Sequence, residues 1–70
     1  MSKAAYEAWR LGDLEQAEEI LSKEVTKPDC PEFVTYILAN RALVRARLCK
    51  WAEALEDAQM VIYDSSSATS

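Results

Sequence analysis

Residues 39–62 read A-N-R-A-L-V-R-A-R-L-C-K-W-A-E-A-L-E-D-A-Q-M-V-I, and their apolar spacing decides the fold. Trp51, Ala54, Leu55, Ala58, Val61 and Ile62 recur with the period of one helical face, which predicts a helix over residues 51–63. Upstream, Phe33, Ile37, Leu38, Ala42 and Leu48 mark another helix, over residues 33–50. The stripe changes phase across Leu48-Cys49-Lys50. The break between the two helices is placed there, although that tripeptide offers neither glycine nor a good cap.

Working outward, Asp29-Cys30-Pro31-Glu32 reads as the start of the third helix. Asp29 caps, Pro31 fits a first turn whose N–H needs no partner, and Glu32 closes a capping box. Lys27-Pro28-Asp29 stops the helix before it, whose apolar positions are Leu14, Ala17, Leu21 and Val25. Asp13 is its expected N-cap, with Gln16 as capping-box partner. Ala4, Ala5, Ala8, Trp9 and Leu11 carry the first helix, ended by Gly12, the one glycine in the chain, at a C′ position. The result is an all-α chain of four helices in two antiparallel hairpins. Residues 64–70, rich in serine, read as a flexible tail.

Composition agrees and narrows the function. Seventy residues with 50% hydrophobic and 29% charged side chains make one small domain. One Gly and two Pro are too few for a sheet with many reversals. The chain has no histidine, which removes the commonest general base and metal ligand, and every Ser-His or Cys-His nucleophile. No enzyme and no cofactor is predicted. The net charge of −4 argues against nucleic acid, despite the basic third helix with Tyr36 beside its cations. No apolar run approaches a membrane span, and Met1-Ser2-Lys3 leads into no signal-peptide segment. Cys30 and Cys49, without metal-like spacing, read as reduced thiols of an intracellular, cytoplasmic protein. Cys30 would sit at a helix N-terminus, and Cys49 would be a small packed turn residue. Glu15, Glu18 and Glu19 read as a solvated face.

The two hairpins repeat. A shift of 37 residues places Gly12-Asp13-Leu14 on Cys49-Lys50-Trp51, Ala17 on Ala54, Leu21 on Ala58 and Ala5 on Ala42. Small residues at Ala5, Ala42, Ala17 and Ala54 let helices approach, while Leu14 and Trp51 would fill the space near the turns. The run Asn40-Arg41-Ala42, followed by Leu48-x-x-Trp51-x-x-Ala54-Leu55-x-Asp57-Ala58, resembles the tetratricopeptide repeat family, whose helix–turn–helix period is about 34 residues. The resemblance covers residues 2–63, as repeat one over about 2–27 and repeat two over about 30–63. It departs from the family in its longer spacing and in Ala8 and Arg45 at the aromatic slot. The closing proline is displaced to Pro28 in one repeat and absent from the other. Two repeats are also fewer than the three usually needed.

The resemblance implies a fragment of a helical solenoid whose first helices line a concave groove. The groove residues would be Tyr6, Trp9, Arg10, Tyr36, Ala39, Asn40, Leu43 and Arg47. Arg41, Arg45, Arg47 and Lys50 would make that layer basic against an outer layer holding Glu53, Glu56 and Asp57. The implied function is protein–protein interaction, with an acidic or C-terminal peptide segment as partner. Of the carboxylate clamp found in some relatives, Asn40 alone matches; Ser2 and Tyr6 occupy the first-repeat slots. Two other readings stay open. Arg41 and Arg45 would simply pair with helix-four acids while Tyr6 and Trp9 pack within the hairpin, or the chain would self-associate through the exposed apolar surface of helices three and four, at the open end of the repeat stack, into a homodimer or larger assembly.

Overall fold

The computed structural model describes residues 1–27 and 31–69, with side chains for 1–27 and 32–62. Four α-helices follow one another: α1 (Lys3–Arg10), α2 (Leu14–Thr26), α3 (Val34–Arg47) and α4 (Trp51–Thr69). A 3₁₀ turn at Pro31–Phe33 leads into α3, and there is no strand among the described residues. Each helix packs on the next, α1 on α2, α2 on α3 and α3 on α4. The expected cap at Asp29 and the thiol of Cys30 lie outside the described residues.

Local chemistry sets the helix ends. Ser2 caps α1, its hydroxyl accepting from the Ala5 N–H at 3.2 Å. Asp13 caps α2, its carboxylate accepting from the Gln16 N–H at 3.3 Å. The reciprocal half of the expected capping box is not made with the Asp13 N–H, which donates instead to the Ala8 carbonyl at 2.8 Å. That bond belongs to a Schellman closure of α1, in which the Gly12 N–H also donates to the Trp9 carbonyl at 3.0 Å. Gly12 has the left-handed φ of 83° that this motif requires.

The second hairpin reproduces the first, 37 residues on. The Cys49 N–H donates to the Ala46 carbonyl at 3.1 Å, and the Lys50 N–H to the Arg45 carbonyl at 2.8 Å. Cys49 takes the left-handed role of Gly12, with φ 63°. The first turns of the following helices also correspond, Ala17 N–H to Asp13 carbonyl and Ala54 N–H to Lys50 carbonyl. The Leu48-Cys49-Lys50 break is therefore placed where the phase change predicts. Cys49 is an exposed free thiol rather than a packed one, because the backbone of the turn points it outward.

The apolar core joins the first three helices. Ala5, Ala8, Ala17, Leu21, Ile37 and Val44 are buried together, with Trp9, Leu14, Ile20, Val25 and Leu48 packed on them. Alanines at 5 and 17 are fully buried in the small-residue positions the sequence predicts, and Ala8 is buried beside them. The corresponding positions in the second hairpin are less covered. Ala54 is buried, but Trp51, the counterpart of the half-buried Leu14, is 64% exposed. Trp51 does not fill its turn because it lies on the side of α4 that no other described helix covers. Leu11 also projects into solvent.

Helix α4 runs on through residues 64–69, where the sequence reads as a tail. No proline or glycine interrupts this stretch, and adding a residue to an existing helix costs far less than nucleating one.

Candidate functional site

On α3, Tyr36, Asn40, Leu43 and Arg47 recur at intervals of four, three and four, so they form one stripe along the helix. Tyr36, Leu43 and Arg47 are exposed, and Asn40 is half-buried. Phe33 continues the stripe by one turn and is also exposed. The groove reading missed it; its position three residues before Tyr36 was the available signal. Ala39 is exposed beside the stripe.

From α1, Trp9 reaches the same region. Its ring packs partly on the core, and the Arg47 guanidinium carbon sits 5.1 Å from its centroid, a cation–π contact. Arg47 lies in the last turn of α3, where the helix dipole also favours a cation. Tyr6 and Arg10 are exposed on α1. The structure thus joins Trp9 to Arg47 directly and strings Tyr36, Asn40 and Leu43 along the helix that carries Arg47. Among the described residues no side-chain hydrogen bond, ion pair or cation–π contact ties Tyr6 or Arg10 to that stripe.

Asn40 carries an anomaly. Its Nδ2 is buried and has no hydrogen-bond acceptor among the described residues. An unsatisfied buried donor costs about 1–3 kcal/mol.

The other cations of α3 and its closing turn are engaged inside the protein. Arg41 grips Asp57 with two bonds of 2.8 Å, and Arg45 Nη1 donates to the same carboxylate at 3.0 Å. Arg45 Nε donates to Glu18 at 2.8 Å, and Lys50 Nζ to Glu18 at 2.7 Å. Arg41 also reaches the Ser22 hydroxyl at 3.4 Å. Asp57, with its side chain 2% exposed, is held at the α3–α4 contact by the two arginines. Burial raises the Glu18 pKa, but the hydrogen bonds and charges of Lys50 and Arg45 outweigh it and hold the carboxyl below its ordinary value. The bonds to Asp57 raise the Arg41 pKa against the opposing effect of burial.

Two expectations are revised by this network. Arg41 and Arg45 pair with acids, as the competing reading has it, so the basic layer reduces to Arg47 on α3 with Arg10 on α1. Glu18 is not on a solvated face; its side chain is 14% exposed between two cations. The 37-residue shift places Glu18 on Leu55 of the α4 stripe, a signal that its position faces a neighbouring helix. Arg45, standing on Ala8 in the same alignment, supplies the matching charge.

An open depression of about 500 Å³ on the C-terminal half of α2 is lined by Glu19, Ser22, Lys23, Thr26 and Lys27. None of the groove residues lines it. Among the described residues no group of three or more side chains is placed to hold a metal ion, and no helix is long and apolar enough to cross a membrane. No family model matches the chain, and no curated protein or solved structure is significantly similar to it.

Proposed function

We propose that the protein is a non-catalytic interaction module of tetratricopeptide type that holds a peptide segment along α1 and α3. The observation that carries this reading is the α3 stripe itself, three exposed side chains with a buried amide donor lacking an acceptor between them. Tyr6, Trp9, Arg10, Tyr36, Asn40, Leu43 and Arg47 are the contacting residues. Aromatic and arginine side chains on a rigid helix are the residue types that dominate binding energy at interfaces. Trp9 fixes Arg47 before any ligand arrives, which lowers the entropy lost on binding. Asn40 would satisfy its donor on a backbone carbonyl of the bound segment. The shared motif of the two hairpin turns supports the repeat assignment. The exposed thiol of Cys49 suits a reducing compartment such as the cytoplasm.

The partner segment is acidic on this reading, because Arg47 and Arg10 are the cations left on this side. The test is a titration with short acidic peptides, using basic and neutral peptides as controls. Arg47→Ala and Asn40→Ala should each abolish binding while far-UV circular dichroism stays unchanged. Binding that is indifferent to both variants would refute the reading.

A further inference from the structure

We propose that a second copy of this chain docks on α4, the two helices pairing antiparallel across a twofold axis between Glu56 and Asp57. Trp51, Leu55, Ala58 and Ile62 recur at intervals of four, three and four, the spacing of a knobs-into-holes seam. Three of the four are large and exposed, Trp51 at 64%, Leu55 at 59% and Ile62 at 64%. Shifted by 37 residues, Trp51, Ala58 and Ile62 fall on Leu14, Leu21 and Val25 of α2, all of which pack in the core. Leu55 falls on Glu18, which is bonded to Arg45 and Lys50. The face of α4 that stands open is therefore the one that α2 turns to a neighbouring helix.

Two features select a second copy as the occupant. The intervals read the same in both directions, so antiparallel pairing sets Trp51 against the partner's Ile62 and Leu55 against the partner's Ala58. Large residues meet across the ends, and the small alanine receives the leucine. The flanks are uncharged, with Ala52 and Gln59 on one side and Ala54 and Val61 on the other. Two chains of net charge −4 can approach there without placing like charges in contact. Asp57 is already neutralised by Arg41 and Arg45, and Glu53 and Glu56 lie further round the helix. A charged partner would find nothing on this face to grip.

A seam of about three turns lies at the small end of stable interfaces, under about 1,200 Å² in total. The dissociation constant is therefore expected in the micromolar range. Sedimentation equilibrium on the full chain, over about a hundredfold concentration range reaching hundreds of micromolar, reads the dimer directly. Leu55→Glu should raise the dissociation constant at least roughly tenfold while helicity is unchanged, and Arg47→Ala should leave it alone. Trp51→Lys and Ile62→Glu should each give monomers that associate when mixed in equal amounts, because the axis sets these positions against each other. A wild type monomeric throughout, as it would be if some other chain covers this face, overturns the proposal. So does a dimer indifferent to Leu55→Glu, or a mixture of the two charge variants that stays monomeric while the wild type pairs.

Discussion

Removing the carboxylate of Asp57 should come close to unfolding the protein. Asp57 accepts three charge-assisted hydrogen bonds, two from Arg41 at 2.8 Å and one from Arg45 at 3.0 Å, with 2% of its side chain exposed. Asp57→Ala leaves both guanidinium groups facing a void; Arg45 keeps Glu18, and Arg41 keeps no carboxylate. Deleting one member of a buried ion pair typically costs about 3–5 kcal/mol. A chain of 70 residues has roughly 4–10 kcal/mol of stability in all. With a urea slope of about 1 kcal/mol per molar, the midpoint should fall by about 3–5 M. Asp57→Asn, which keeps the shape and one acceptor, should lose about half as much. The assay is urea unfolding followed by circular dichroism, with Arg41→Ala and the double variant closing a cycle. Once the carboxylate is gone, the Arg41 substitution should cost far less than it does in the wild type. A loss below about 1 kcal/mol for Asp57→Ala would refute the reasoning, since a pair so cheap to break behaves as a surface pair.

Four further outcomes follow from other positions. Cys49→Gly should stabilise the protein by about 0.5–1 kcal/mol, because the φ of 63° is strained for a residue bearing Cβ; an unchanged urea midpoint would contradict this. Gly12→Ala should cost about 1 kcal/mol by the same argument, although the added methyl would meet nothing within 4 Å. The Glu18 carboxyl is held below its ordinary value in the folded protein, so its ionised form contributes stability above the unfolded-state value. That contribution is lost as pH falls through the folded-state value. Melts taken from neutral pH down through about pH 4 should therefore fall more steeply for wild type than for Glu18→Gln, and parallel curves would exclude the effect. Asn40→Leu removes a buried donor without an acceptor and should leave stability equal or higher by about 1 kcal/mol; a loss of that size would mean the amide is satisfied.

Those outcomes separate what the sequence makes readable from what it hides. The stripe from Trp51 to Ile62 and the caps at Gly12 and Asp13 are local signals. They placed the helices, because helical periodicity and φ preference act within one turn. The 37-residue shift carried further and matched the two turns even though Cys49 replaces a glycine. Glu18 was legible as a facing position only through its match to Leu55 in that shift, since its partners Arg45 and Lys50 are 27 and 32 residues away. A carboxylate on an amphipathic helix looks solvated until its partner is known. Trp51 failed for the converse reason: an apolar stripe shows that a face can be buried, not which part of it a neighbour covers. The serines after Tyr63 look like linker by composition, yet the helix passes through them because nothing in the backbone breaks it. Within the candidate site, the structure sets Arg47 against the Trp9 ring, while its separation from Arg41 and Arg45 depended on a tertiary pairing with Asp57.

The most direct test of the groove is nuclear magnetic resonance of the full isotopically labelled chain, titrated with short acidic peptides. The two tryptophans report on different surfaces, Trp9 beside Arg47 and Trp51 on the open face of α4. Binding along α1 and α3 predicts saturable shifts of the Trp9 indole and the Asn40 side-chain amide, weakened by salt, with the Trp51 indole unmoved. Shifts confined to Trp51, or none at Trp9 and Asn40 with any acidic peptide, would contradict the account.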